Sequence, residues 1–163
     1  RAVADGDDLE ARAQVQWASV VALNGWVQVG TDFTAPVHMI EHTLSAHHDV
    51  AHGAGLAVVN PAWMRFAAKA RPARFAQFAQ RVFGVPLKPA DYLGCALEGV
   101  DRFEEFLRSI GCPIRLSQLG IGDAMLSRYA RDTLRVAHDK EGLLPGRPPM
   151  NGEEIVEVLR SAL

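Results

Sequence analysis

Apolar residues recur at intervals of three and four positions along most of this chain, and that spacing limits the folds it can adopt. In the first such segment the recurring positions are Leu9, Ala13, Trp17, Val20 and Val21. The interval places these side chains on one face of an α-helix. No segment shows the strict alternation of apolar and polar residues that marks a half-buried strand. The sequence therefore predicts an all-α domain, a helical bundle of about seven helices.

Capping residues and prolines mark where the first two helices begin and end. Asp7 or Asp8 can cap a helix that runs to about Val29. Pro36 then opens a second helix, which ends near Ala46, because proline is tolerated in the first helical turn. Further helices are expected over residues 56–69, 73–83, 90–110, 123–138 and 153–162.

One proline lies inside a predicted helix instead of at its end. Pro61 falls within the strongly apolar segment 56–69. Proline has no backbone N–H to donate, and its ring collides with the preceding turn of a helix. We therefore expect this helix to be kinked or broken into two pieces at Pro61.

Length, charge and cysteine content narrow the class of protein. A chain of 163 residues that is 48% hydrophobic fits one domain with a sizeable core. A net charge of −2 gives no electrostatic case for nucleic acid. No apolar stretch reaches the roughly 18 residues of a membrane span. Cys95 and Cys112 lie too far apart for a close-spaced metal pair and are typical of reduced cytosolic thiols. The sequence predicts a cytoplasmic protein that binds neither nucleic acid nor membrane.

Histidine is distributed very unevenly along the chain. Histidine is a common metal ligand and the usual acid–base residue near neutral pH. Packing alone does not explain such clustering in an otherwise apolar region, so these residues form the candidate site. Five of the six histidines fall between residues 38 and 52: His38, His42, His47, His48 and His52.

The spacing within this cluster suggests how the imidazoles meet. His38 and His42 are four residues apart and share one face of a helix. His52 opens the next helix, after a turn short enough to fold it back toward His38. Gly53 and Gly55 leave room there for a ligand or another backbone. Two neutral imidazoles from adjoining helices provide half of a tetrahedral or octahedral metal site, and carboxylates or water must provide the rest.

Spacing alone leaves three interpretations open. In the first, His38 and His52 bind a metal and His42 lies beside it. In the second, residues 38–42 match the H-x-x-E-H pattern of zinc hydrolases, in which both histidines bind zinc and Glu41 is the general base. In the third, the histidines are hydrogen-bonded and inert. The second interpretation needs a further ligand, for which the candidates are Glu98, Glu104 and Glu105.

Longer segments around the histidines carry more information than single spacings. They read HMIEHTLSA at residues 38–46, DVAHGAGLA at 49–57 and PAWM at 61–64. These segments resemble the butanol-dehydrogenase-like branch of the iron-dependent alcohol dehydrogenases. The similarity continues through residues 10–13, 17–25, 116–121 and 150–159, and so covers essentially the whole chain. The resemblance implies the helical C-terminal domain of the dehydroquinate synthase-like fold.

The resemblance also implies roles for three of the histidines. In that family an aspartate and three histidines bind the metal, usually iron(II) and sometimes zinc. By motif, His38 and His52 are the last two of these ligands. His42 matches a catalytic, cofactor-binding histidine that lies near the nicotinamide and assists proton transfer. The resemblance assigns no role to His47 or His48, which we expect at the surface or supporting a ligand.

The implied activity is reversible hydride transfer between an alcohol or aldehyde and NAD or NADP. In the family a Rossmann-like N-terminal domain binds the nucleotide. The resemblance implies that this domain and the first two metal ligands are to be expected upstream of residue 1. Residues 1–163 are thus expected to form a helical metal-binding domain that binds metal weakly and does not turn over when isolated. The family also allows a homodimer.

A non-catalytic function is the alternative from another class. The chain could be a self-contained helical module for metal binding or subunit association. Part of an enzyme is expected to expose an apolar face where another domain packs, because large apolar patches are unusual on monomers. A self-contained module is not expected to expose one.

Overall fold

The computed structural model describes residues 1–163 and contains seven α-helices. The predicted all-α class and the number of helices are confirmed. The only bridge between extended segments is an isolated antiparallel pair, Leu144 with Met150. No helix is both long and apolar enough to span a membrane. The helices are α1 Leu9–Leu23, α2 Pro36–His48, α3 His52–Ala70, α4 Pro72–Phe83, α5 Tyr92–Ser109, α6 Leu126–Val136 and α7 Gly152–Ser161.

The chain divides into two compact units, of which the first is Arg1–Phe33. Asp8 caps α1 by accepting from the backbone N–H of Ala11, as predicted. The expected continuation to Val29 is wrong, because α1 ends at Leu23. Gly25 there adopts a left-handed φ of 88°, which glycine reaches without a steric penalty, and a short 3₁₀ turn follows.

The first unit buries little of its apolar surface. Ala11 is the only buried residue of α1. Trp17 remains 58% exposed and Trp26 64% exposed. The apolar repeat that predicts α1 therefore marks a face that the first unit does not bury within itself.

The second unit, Thr34–Leu163, contains the main core. Buried residues of α2, α3, α6 and α7 form one apolar cluster. Ile40 and Leu44 of α2, Tyr129 of α6 and Leu159 of α7 are almost wholly buried in it. Burying each such side chain contributes roughly 2 kcal/mol. The core thereby fixes α2 and α3, which carry the clustered histidines.

Pro61 does not divide α3. The helix continues from His52 to Ala70 with Pro61 buried inside it. Of the two outcomes expected, a kink or a break into two pieces, the break is wrong. Pro61 removes one backbone hydrogen bond. Its neighbours Val58, Val59 and Ala62 are buried in the core, and this packing holds both halves of the helix in place.

The helices α4 and α5 form a hairpin that packs beside α3. Gly99 permits the close approach, since a Cβ there would lie 2.8 Å from the Cα atom of Ala79. Cys95 is buried in this hairpin and Cys112 follows it, and neither forms a disulfide.

Buried Glu104 ties α5 to its neighbours. It accepts from Arg65 of α3 and from Arg115 after α5, each at 2.9 Å. Burial by itself raises the pKa of Glu104, but the hydrogen bonds from the two arginines outweigh it and lower that pKa. The carboxylate therefore stays ionised inside the fold.

Candidate metal centre

The turn between α2 and α3 brings the histidines together. Asp49 ends α2 in a left-handed conformation, with φ 53°, which aspartate tolerates better than most residues. The chain then reverses over residues 50–51, and His52 begins α3. The structure thus places His52 at the helix start, folded back against α2, as the sequence predicts.

His38, His42 and His52 form a triangle of imidazoles. The ring centroids of His42 and His52 are 5.2 Å apart. Those of His38 and His52 are 5.4 Å apart. The two rings that share α2, His38 and His42, are separated by 6.2 Å. The structure therefore brings together all three residues singled out in the sequence.

These three rings are accessible. All three residues are exposed, and the His52 side chain is 48% exposed. Partial burial, with the nearby imidazoles of His52 and His42, lowers the pKa of His38. A lowered pKa favours the neutral ring, which is the form that binds metals.

Glu41 lies under the triangle and is fully buried. One carboxylate oxygen is hydrogen-bonded to Nδ1 of His52. The other is hydrogen-bonded to the hydroxyl of Ser45, one turn further along α2. That hydroxyl also lies 2.9 Å from the carbonyl oxygen of Val50, in the turn before α3. Sequence reasoning did not identify the role of Glu41 or Ser45 beside His52, although their four-residue spacing places both on one helix face.

The triangle fits a divalent metal by its donor chemistry. Two imidazoles bound to one tetrahedral ion at the usual nitrogen–metal distance have centroids roughly 5 Å apart. The distances from His52 to His42 and to His38 both lie near that value. Imidazole suits iron and zinc, and three accessible rings leave room for ligands from elsewhere.

Proximity alone also groups Glu41 with His42 and His52, whose donor atoms lie within 4.8 Å of one another. The buried carboxylate is the weakest member of that group. Both of its oxygens already have partners within the protein. An exposed imidazole such as His38 is the better donor, because binding through it breaks no buried hydrogen bond.

The last turn of α2 is fixed to α6 by polar contacts. Nε2 of His47 lies 2.9 Å from Oδ2 of Asp132, and Nε2 of His48 contacts the hydroxyl of buried Tyr129. The hydrogen bond with His47 lowers the pKa of Asp132. His47 and His48 thus contact α6 and tie α2 to it. His48 is exposed, as expected, and His47 is half-buried.

A groove of about 270 Å³ begins at His42 and runs between α2 and α6. It is partly apolar, with Ala46 and Val136 in its wall, and Arg135 is among its lining residues. A larger groove of about 810 Å³ lies between α6 and α7, but none of the three histidines lines it. Of the two grooves, the smaller one is the candidate for holding a substrate or cofactor, because it adjoins an accessible imidazole.

The candidates from the sequence for the further ligand of a zinc hydrolase are not grouped with the histidines: the residues whose donor atoms lie close enough to share an ion are Glu41, His42 and His52. Glu98 and Glu105 lie within 3.8 Å and 3.6 Å of Arg102. Glu104 is held by Arg65 and Arg115. Glu41 is also buried against His52, where it has no access to an attacking water.

The chain is similar to members of one known protein family. The model of the Fe-containing alcohol dehydrogenase family, C-terminal part, matches residues 1–163. NADH-dependent butanol dehydrogenase A of Clostridium acetobutylicum is 33% identical over 157 residues, covering 96% of this chain and 39% of the relative. An NADPH-dependent aldehyde reductase of Escherichia coli is 31% identical over 121 residues, covering 74% of this chain and 31% of that protein.

A solved structure has the same fold. The crystal structure of NADH-dependent butanol dehydrogenase A from Thermotoga maritima superposes with a TM-score of 0.89 and 34% identity. The superposition covers 99% of this chain and 41% of that one. Nearly the whole chain is matched in these two proteins, yet it spans only about two fifths of their length.

Proposed function

The chain belongs to the Fe-containing alcohol dehydrogenase family, whose C-terminal part it matches, and we propose that it supplies part of the metal and substrate site of an NAD(P)-dependent alcohol dehydrogenase. The reaction would be reversible hydride transfer between a small alcohol or aldehyde and the nicotinamide. The observation that carries this proposal is the triangle formed by His38, His42 and His52, at the turn between two core helices.

His38 and His52 are the proposed metal ligands. Each presents an accessible ring, and their centroid separation of 5.4 Å suits a shared ion. The metal would be iron(II), with zinc as the alternative. When bound, the metal supplies Lewis acidity at the substrate oxygen, and the nicotinamide supplies the hydride chemistry.

His42 is the proposed proton-transfer residue and contact to the nicotinamide. It is exposed, lies beside both proposed ligands and borders the groove between α2 and α6. An imidazole titrates near neutral pH and can take the hydroxyl proton from an alcohol or return it to the reduced product. The groove would then hold the carbon chain of the substrate or part of the cofactor.

The remaining site elements would come from residues outside this chain. The butanol dehydrogenase relatives are about two and a half times as long, as the 39% and 41% coverage indicates. The first unit by itself leaves tryptophans and valines exposed, as we expect for part of an enzyme that packs against another domain. We propose that a nucleotide-binding domain and two further metal ligands lie in that additional part. The cytoplasmic location and the homodimer stay predictions.

The test measures metal content and alcohol-dependent NAD(P) reduction in the complete protein. His38→Ala and His52→Ala should each lose metal and activity together. His42→Ala should keep the metal and lose roughly 10²- to 10⁴-fold in rate, the usual contribution of a positioned acid–base group. Full metal occupancy in His38→Ala or His52→Ala would contradict the ligand assignment. An unchanged rate in His42→Ala would contradict its catalytic role.

A further inference from the structure

We propose that Glu41 is a positioning residue that fixes the ring and the tautomer of His52, and that Gly55 is part of the same arrangement. The inference rests on the proposed role of His52 as a metal ligand and deepens it. Three observations carry it: the burial of Glu41, the identity of its partners and the space that Gly55 leaves for its carboxylate.

The burial of Glu41 needs a reason. It lies on α2 between His38 and His42, yet it is fully buried while both histidines are exposed. Glutamate is almost never fully buried unless its carboxylate is paired. No arginine or lysine is hydrogen-bonded to it or forms an ion pair with it; its two side-chain partners are His52 and Ser45.

The partner atom on His52 decides what Glu41 does. A carboxylate oxygen accepts hydrogen bonds, so Nδ1 of His52 carries the proton and its N–H donates to Glu41. The lone pair is then left on Nε2, the other ring nitrogen, where a metal can bind. A carboxylate behind a histidine ligand fixes its tautomer and ring orientation and increases its basicity as a ligand.

Gly55 leaves the space in which the carboxylate lies. A Cβ atom at residue 55 would lie 2.5 Å from Oε1 and 2.7 Å from Cγ of Glu41. Both distances are far below van der Waals contact, so any larger residue must displace Glu41. Gly53, in the same turn of α3, has nothing within 4 Å of such an atom. The requirement for glycine is therefore specific to the position that faces the carboxylate.

The test uses the complete protein, with zinc as the probe and a competing chelator to measure affinity. Nitrogen-15 NMR of the metal-free protein, at mildly alkaline pH, reports which nitrogen of His52 carries the proton. Glu41→Leu removes the acceptor. Glu41→Gln keeps an acceptor oxygen in the same place and serves as the conservative rescue. Gly55→Ala adds a methyl group on α3 that displaces the carboxylate of Glu41. Gly53→Ala adds the same group where it meets nothing, and is the matched control.

We expect Glu41→Leu and Gly55→Ala to weaken zinc binding about 10- to 100-fold, the usual effect of losing a residue that supports a ligand. Both should leave His52 without a single preferred tautomer. Glu41→Gln and Gly53→Ala should stay within a few-fold of wild type and keep Nδ1 protonated. Glu41→Gln and Gly53→Ala also distinguish a loss of positioning from a general loss of folding. An amide in place of the carboxylate would not restore zinc binding if the cause were a folding defect.

Failure of this inference is distinguishable from failure of the proposed function. If His52→Ala keeps its zinc, His52 is not a ligand and both fall. If His52→Ala loses zinc while Glu41→Leu binds zinc normally and retains the Nδ1-protonated ring, only the positioning role of Glu41 is wrong.

Discussion

Two regions of this chain share a local arrangement, but its role differs between them: in one it supports the fold, and in the other it supports the proposed metal site. The turn between α2 and α3 and the hairpin of α4 with α5 each contain a helical glycine at a close contact and a buried glutamate. In the hairpin, Gly99 lies against the backbone of Ala79, and Glu104 is held by arginines. At the turn, Gly55 lies against Glu41, which is hydrogen-bonded to His52.

The partners of each buried carboxylate indicate its role. Arginine is always charged near neutral pH and compensates the buried charge of Glu104, so that pair supports the fold. An imidazole compensates Glu41 less well, but it has a second nitrogen that faces away from the carboxylate. A buried glutamate paired with an exposed histidine is thus a better indication of a functional site than one paired with arginine.

The largest expected difference between the two regions comes from replacing each glutamate by leucine. Glu104→Leu removes two hydrogen bonds to charged groups, one from Arg65, which keeps Asp101, and one from Arg115; we expect a loss of about 3 kcal/mol in unfolding free energy. Zinc affinity should not change. Hydrogen exchange of the α5 amides measures the first quantity and chelator competition the second. A loss of zinc in Glu104→Leu equal to that in Glu41→Leu would remove the distinction between the two carboxylates.

The two glycines should also separate stability from metal binding. Gly99→Ala forces α4 and α5 apart and should cost about 2 kcal/mol, the middle of the range for overpacking a core. Gly55→Ala should act mainly on zinc affinity, because the neighbour it displaces is a side chain. Thermal unfolding of both variants beside Gly53→Ala checks this, and equal destabilisation at 55 and 99 would contradict it.

The ionisation of Glu104 should make the free energy of unfolding depend on pH. Its pKa is lowered in the folded state, so its contribution is full above the ordinary pKa of glutamate and is lost as the pH falls through the lowered value. Glu104→Gln should therefore be less stable than wild type by about 1.5 kcal/mol at neutral pH. The difference should shrink in acid, as measured by unfolding across that range. A difference that stays constant down to low pH would exclude Glu104 as its source.

The smallest expected effect lies at the contact between α2 and α6. The buried hydroxyls of Thr43 and Thr133 are hydrogen-bonded at 2.9 Å. Thr133→Val removes that bond and should cost about 1 kcal/mol, with no change in zinc affinity. Denaturation and chelator competition check the two quantities. A clear loss of zinc would mean that α6 also positions the imidazoles.

The sequence predicts the helices well where a local signal determines them. The cap formed by Asp8 and the start of α2 at Pro36 both agree with the structure. Asn151 also caps α7, with Glu154 completing the capping box. These features depend on a few neighbouring residues, and a one-dimensional pattern contains them.

The failures come from interactions that local patterns do not contain. Pro61 was expected to kink or break α3, and it does not break it, because packing of the flanking residues in the core holds the helix together. The early end of α1 depends on Gly25 adopting a left-handed conformation, which glycine permits but does not require.

The candidate site shows the same division. The spacing of His38, His42 and His52 is enough to predict that they meet. That Glu41 faces inward to His52 depends on how α2 rotates against the core. The contact of His47 with Asp132 joins residues 85 positions apart, and no helical spacing predicts it.

The most direct test of the metal centre compares two histidines on either side of the turn between α2 and α3. His52 belongs to the triangle, whereas His47 is bound to Asp132 outside it. In the complete protein, His52→Ala should weaken zinc binding by more than the roughly 100-fold expected for a supporting residue. His47→Ala should stay within a few-fold of wild type. Equal affinity in the two variants, measured by chelator competition, would contradict the assignment of the metal to the imidazoles between α2 and α3.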